Sequence, residues 1–495
     1  MNGKIKYIAI TGLVSLSVGC SVKTNPVTPE EVVARVANDR TEMFANQAPI
    51  TGAITIGEAM ARALSYNLDH RLKQMEAAVA ARQFDFDKYG LLPDLVADAG
   101  YSRRNNSPAA RSEDDFGEET LPNSTSQERT TETSSLELSW NILDFGLSYY
   151  TARQASNQVL VAEERRRKTV QNITQDVIDA FWKAWMAQSV GPKVEALIAE
   201  NRSALDQSRS LVSQGVQNPE AALGTQGAML NNINSLIETR ERIALSKVRL
   251  AALINVDPAL DYQVVAPVSL EVPGELTQSP TSMVEFALLN RPELREEDYR
   301  KRVSELEVRK TFLNYFPSLN LSAAYNRDEN RFLENRTWNT VGWDVTWDLL
   351  GLLQVHKQKQ FNEAEVEVAD ARRMALSMAV MTQVYIAISR FELSRESYDA
   401  ATQLFEVRNS LARNSAARGS RASGMDELNA RSSSISSELR RNLAFAETQA
   451  AFARVVNSMG IDPVPSQVES HSLEVLSREF DSRWASMIRG NLTNY

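Results

Sequence analysis

Leu136-Glu137-Leu138-Ser139-Trp140-Asn141-Ile142 and, far along the chain, Val341-Gly342-Trp343-Asp344-Val345-Thr346-Trp347-Asp348-Leu349 alternate between apolar and polar residues. A period of two puts each set on one face of a β-strand. A second alternating stretch precedes each: Leu95, Ala97, Ala99 and Tyr101 before the first, Leu319, Leu321, Ala323 and Tyr325 before the second. The four strands are expected over 95–104, 134–142, 319–328 and 338–349. Each has about the ~10 residues that a tilted strand needs to cross a bilayer, with one apolar face, one polar face and aromatics near the ends. Soluble sheets alternate too. The aromatic set Tyr101, Trp140, Tyr325, Trp343 and Trp347, with the polar, turn-rich segments 105–133 and 329–337 as outer loops, favours the membrane. Four strands leave two open edges whose backbone groups would be unpaired in hydrocarbon, so the chain has to oligomerise. Small barrels begin at ~8 strands, which a dimer would supply and a trimer would exceed, and the strands alone do not choose.

The chain repeats itself. Ala63-Leu64, Leu92-Pro93-Asp94-Leu95 and Tyr101 recur as Ala287-Leu288, Phe316-Pro317-Ser318-Leu319 and Tyr325. Val159, Val161, Ala162, Arg165, Arg166, Val177 and Ala180 recur as Val366, Val368, Ala369, Arg372, Arg373, Val384 and Ala387. Asn255-Val256-Asp257-Pro258 closes the first copy as Gly460-Ile461-Asp462-Pro463 closes the second. The expected layout is therefore a first repeat over 54–257 and a second over 282–463, joined by a linker over 258–281 and followed by a tail over 464–495 that lacks a clear period.

Each repeat opens with a helical pattern, 54–90 or 282–315, that a proline (Pro93 or Pro317) terminates. After each strand pair a very long helical run follows, 146–217 or 351–417. At ~1.5 Å per residue, ~70 helical residues extend on the order of 100 Å. Gly191-Pro192 is expected to kink or restart the first run. Returning helices follow over 220–255 and 425–460. Leu223, Leu230, Ile237, Ala244 and Ala251 recur every seven residues in the first, and Leu428, Ile435, Leu439, Leu443, Ala446 and Ala450 form a stripe in the second. Each hairpin should thus be a coiled-coil-like pair, although an ordinary helical bundle explains the stripes equally well.

The N-terminus sets the compartment. Lys4 and Lys6 precede an apolar stretch from Ile8 to Val18, which reads as a secretory signal over 1–19 and is too short for a mature membrane span. Cys20 is the only cysteine, so an internal disulfide is excluded. Leu16-Ser17-Val18-Gly19-Cys20 resembles a bacterial lipobox, with Ser17 where leucine is commonest; the resemblance implies acylation of Cys20, and Ser21 then resembles an outer-membrane sorting signal. A plain secretory signal with an incidental cysteine is the alternative. Residues 20–53 are expected to form a lipidated tether.

The order helix, strand, loop, strand, long helical hairpin, twice over, resembles the TolC family of outer-membrane channels across about residues 54–463. Leu92-Pro93 and Phe316-Pro317, Leu143-Asp144-Phe145-Gly146, and Gly419-Ser420-Arg421 leading into Met425-Asp426-Glu427-Leu428-Asn429-Ala430 carry the resemblance. It implies a mainly α fold with a membrane β-barrel portion: a homotrimer with a twelve-stranded barrel and a twelve-helix periplasmic tunnel. It also implies a periplasmic adaptor (membrane fusion protein) and an inner-membrane transporter as partners, and outer-membrane lipid as surroundings. Small-molecule efflux is the expected cargo class, with type I protein secretion as the alternative and a lipid-anchored structural coiled-coil protein as an alternative of another class. Family members narrow their periplasmic end with acidic residues at two positions near the second hairpin tip. Asp426 occupies the first and Asn429 the second, where the acidic pattern is broken; Arg421 matches a tip arginine but stands one residue further from Asp426. Three Asp426 side chains around an axis would form a ring of like charge that attracts cations. An acidic residue in the first turn of a helix, favourable to its dipole, is the plainer reading.

Other function classes find little support. With a net charge of -9 and no basic run, nucleic acid is not an expected partner. His70, His356 and His471 lack ligand spacing and are expected at surfaces or interfaces, no HExxH or GxxxxGK motif occurs, and no cofactor or catalytic group is expected.

Overall fold

The computed structural model describes residues 24–113, 115–117, 119–215, 219–267, 270–417, 424–464, 470 and 472–492. The chain forms two units, residues 1–49 and the remainder. Within the first, helix α1 (Pro29–Glu42) starts at a capping box in which Thr28 and Glu31 satisfy each other's backbone N–H groups.

The second unit carries both repeats. The opening helices are each broken where the sequence reading had one continuous helix. In the first repeat, α2 (Ile56–Tyr66) hands over to α3 (Leu68–Asp87) at Asn67. The Asn67 side chain accepts from Asp69 N and His70 N and donates to Leu253 O, so a single residue caps a new helix and ties it to the returning one. In the second, α6 (Pro280–Asn290) and α7 (Pro292–Leu313) are separated at Arg291, which Pro292 forces to an extended ψ of 126°.

The strands are β1 (Asp94–Arg103), β2 (Ala109–Glu113), β3 (Glu119–Thr125), β4 (Thr130–Asn141), β5 (Ser318–Asp328) and β6 (Thr337–Thr346). The main sheet is antiparallel in the order β1-β4-β5-β6; β2 and β3 form a separate two-stranded ribbon inside the segment expected to be a plain loop.

Helix α4 (Ile142–Ser213) starts directly at the end of β4, because the Asn141 side chain accepts from Leu143 N and Asp144 N. It runs through Pro192 without restarting. The lost backbone bond is outweighed locally by burial of Val190, Val194, Leu197 and Ile198 with Leu236 of α5 (Pro219–Leu253). The second hairpin is α8 (Val355–Ala417) and α9 (Gly424–Ser458). On α5, Ala222, Met229, Ile233, Leu236, Leu250 and Ala251 are buried, while Leu223 and Leu230 of the seven-residue pattern are exposed, at 66% and 42%. The seven-residue pattern thus follows the buried side of α5 at Ile237 and Ala251 and departs from it at Leu223 and Leu230.

Both returning helices end in the left-handed region, Asn255 at φ 54° and Gly460 at φ 74°, with Val256 N bonding to Ala251 O and Ile461 N to Val456 O. Asparagine tolerates this conformation. A Cβ on Gly460 would also lie 3.0 Å from the backbone of Asn290 and Arg291. Gly460→Ala is therefore expected to cost about 1–3 kcal/mol in guanidinium unfolding, whereas Asn255→Gly should change stability little.

The tail forms α10 (Leu473–Ile488), with Leu476, Phe480, Trp484 and Met487 buried at helical spacing against α2 and the waist core. The linker lies alongside: Ile54 bridges Val264 in parallel, and Gly274 N donates to Ile488 O. Linker and tail together make a belt around the waist.

Candidate functional site

Register puts the apolar sets of all four strands on one face of the main sheet. Leu95, Leu138, Ala323 and Val341 form one cross-strand row; Trp140, Leu321 and Trp343 form another. This face is open: Val341 is 84% and Trp343 73% exposed. An exposed apolar face of this extent marks contact with a partner or with lipid. The opposite face carries Asp98, Glu137, Asn326, Thr340 and Asp344, with Asn320 Nδ2 donating to Asp344 Oδ1 and Asn326 Nδ2 to Thr340 Oγ1. One face suits hydrocarbon and the other suits water, while β1 and β6 are both unpaired at their outer edges.

At the far end, α9 begins at Gly424, so Asp426 lies in its first turn. Asn429 is exposed one turn further and lines a shallow cavity of about 340 Å³ with Arg408, Leu411, Asn414 and Ser433. Arg421 and Cys20 lie outside the described residues, as does the Asp426 side chain. The structure thus places Asn429 beside Arg408, near the end of α8.

Two hairpins from different repeats are joined along their length by Lys193 to Glu438 at 2.5 Å, Arg431 to Glu200 at 2.9 Å and Asn201 Nδ2 to Ser432 Oγ at 3.4 Å. A denser network lies at the waist. Arg167 Nε donates to both oxygens of Asp462, at 2.9 and 2.8 Å, and Gln171 Nε2 donates to Gly460 O and Asp462 Oδ1. Arg291, 7% exposed, donates to Asn457 O, Glu293 Oε1 and Gln383 Oε1. Burial alone would push the Glu293 carboxyl up, but Arg291, a backbone N–H and Lys168 together hold it below its usual range. Sequence reading missed this network. Its one signal was Arg167, next to the matched Arg165 and Arg166 but with Met374 at its own equivalent position.

His70 is buried rather than at a surface: it is 6% exposed, its Nδ1 lies 2.7 Å from Leu64 O, and burial lowers its pKa. His356 sits at the surface beside Gln360, and His471 lies outside the described residues. Among the described residues no cluster of His, Cys, Asp or Glu could hold a metal ion.

Residues 61–256 match a family model described as outer membrane efflux protein. No curated protein matches the chain. Among solved structures, the fold is similar to the Campylobacter jejuni CmeC outer membrane channel, with a TM-score of 0.65 at 14% identity over 89% of this chain and 95% of that one. It is similar to the open state of the Neisseria gonorrhoeae MtrE outer membrane channel, with a TM-score of 0.63 at 16% identity over 82% and 89%. It is also similar to the Vibrio cholerae outer membrane protein VceC, with a TM-score of 0.59 at 13% identity over 82% and 96%.

Proposed function

We propose that this chain, whose fold is that of the TolC-type outer-membrane channels and whose first repeat matches the outer membrane efflux protein family, is the outer-membrane conduit of a tripartite export system. The observation that carries the reading is the four-stranded sheet with one lipid-compatible face, one polar face and two unpaired edges. Three copies close it into a twelve-stranded barrel, and the long hairpins continue it as a tunnel through the periplasm. A periplasmic adaptor and an inner-membrane transporter supply contact and energy, small molecules are the cargo, and the chain itself carries out no catalysis. Cys20 carries the lipid that tethers the protomer to the outer membrane.

The test is migration as a heat-modifiable trimer from isolated outer membranes, with single-channel conductance in a planar bilayer. A water-soluble monomer without conductance would overturn the reading. Asp426 is proposed as the acidic member of the periplasmic constriction, because it stands in the first turn of α9 at the closed end of the second hairpin. Asp426→Asn is then expected to lower cation over anion permeability, as reversal potentials in a salt gradient report, with trimer yield unchanged.

A further inference from the structure

A groove of about 560 Å³ opens where the sheet meets the helices of the second repeat, between Tyr150 of α4, the end of α7 and the first two turns of α8. Phe312 and Phe316 form its apolar wall. Their rings meet edge to face at 5.5 Å, yet they remain 54% and 52% exposed. Arg309 and Lys359 line the groove, and no carboxylate does so among the described residues. Arg309 is exposed, and Lys359 reaches Glu363 only at 3.6 Å. The groove adjoins the apolar face of the sheet: Trp347, which continues the set Val341, Trp343 and Val345, donates its Nε1 to Tyr315 O at 3.1 Å, and Tyr315 lines the groove. Trp140 of the same face meets Phe145, in the first turn of α4, edge to face at 5.6 Å. The first repeat lacks this chemistry. By the offsets that relate the repeats, Asp85 stands where the second has Arg309, Lys88 where it has Phe312 and Ala152 where it has Lys359. Lys88 lies over the Phe84 ring and pairs with Asp85, and Ala152 is buried. The helix packing that both repeats share therefore does not require the cations and aromatics of the groove.

We propose that this groove holds one phospholipid of the periplasmic leaflet, with its phosphate diester between Arg309 and Lys359 and an acyl chain along Phe312 and Phe316. The proposal rests on the channel reading above and adds a bound lipid to it. In that reading the membrane strands end at Ser318 and Thr346, and residues 355–362 rise only about 10 Å along α8, so the groove lies at the level of the headgroups. Guanidinium and ammonium groups donate charge-assisted hydrogen bonds to phosphate, while their stems lie along apolar surface. Tyr150 and Tyr315 suit the same depth, where aromatic rings with a polar tip collect. A head of opposite charge on an apolar body matches this lining better than an extended peptide, whose backbone groups need partners along their whole length.

Native mass spectrometry of the full chain in detergent, supplied with palmitoyl-oleoyl phosphatidylglycerol or with the matching diacylglycerol, tests the proposal. The unaltered protein is expected to retain one phosphatidylglycerol per chain, and to retain the diacylglycerol, which lacks the phosphate, about tenfold less. Arg309→Asp with Phe312→Lys and Lys359→Ala gives the second repeat the residues that the first carries at the equivalent positions. This triple variant is expected to lose about tenfold or more of the retained lipid, with oligomer yield and helical content unchanged. A bimane dye on Thr311→Cys, in the lining of the groove, is expected to be quenched by phosphatidylglycerol with brominated chains, the unaltered chain with its sole Cys20 serving as the dye control. Equal retention by the triple variant, or equal retention of the diacylglycerol, would overturn the proposal. So would a dye shielded from brominated lipid, which would assign the groove to another protein chain. Each of these results leaves a conducting trimer and the channel reading intact, whereas a water-soluble monomer without conductance would overturn both.

Discussion

Val341→Arg is expected to abolish insertion of the assembled protein into the outer membrane, while Thr340→Arg, one residue away, leaves insertion intact. Val341 stands in the middle of β6 and is 84% exposed on the apolar face, in register with Ala323, Leu138 and Leu95. An arginine at the bilayer midplane of a barrel costs about 2–4 kcal/mol. In the proposed trimer, three copies would multiply that to roughly 6–12 kcal/mol, comparable to the whole stability of an ordinary folded domain. Thr340 points to the polar face, where its hydroxyl accepts from Asn326, and an arginine there remains hydrated. The measurement is the fraction of heat-modifiable oligomer in isolated outer membranes. Equal loss in the two variants would mean that the faces are assigned the wrong way round or that the sheet does not meet lipid.

The contrast depends on a pattern that was legible in the sequence, and the reason is physical. A strand with one apolar face and one polar face is constrained at every residue, so Leu136 to Ile142 and Val341 to Leu349 show an uninterrupted period of two. The duplication was equally legible, because the positions that match, such as Val161 and Val368, sit at equivalent places on equivalent helices. What was not legible depends on contacts between distant segments. Nothing local announces that Asn67 both caps α3 and holds Leu253 O, or that the belt gives the C-terminal segment a surface on which Phe480 and Trp484 can be buried. Gly191-Pro192 reads as a kink or a restart; the helix does not restart there, because it is supported by burial on both sides. The heptad through Leu223 and Leu230 was read as the hairpin seam because a period shows a stripe without showing what covers it. At the tip, of the residues read as a gate only Asn429 has a described side chain, and its neighbours include Arg408.

The waist network gives the second large effect. Arg291→Met is expected to destabilise the protein by about 3–5 kcal/mol at neutral pH, because it removes the cation from a buried pair and leaves Glu293 charged with only Lys168 nearby. Asn457 O and Gln383 Oε1 lose a donor in the same step. Replacing both partners, Arg291→Met with Glu293→Met, should cost less than Arg291→Met alone, since the desolvated carboxylate is then gone. The pH dependence follows from the sign of the Glu293 shift. In the unaltered protein its pKa in the folded state lies below the usual 4.5, so its stabilising contribution is fully present above that pH and is lost as the pH falls through the lower folded value. In Arg291→Met, burial is no longer outweighed by the guanidinium, and the folded-state pKa moves upward. The carboxyl then costs stability when ionised and ceases to do so once protonated. The gap between the two proteins in guanidinium unfolding should therefore be widest near neutrality and narrow below about pH 4.5. A gap that stays constant across that range would place the arginine's contribution in its bonds to Asn457 and Gln383 rather than in its pairing with Glu293.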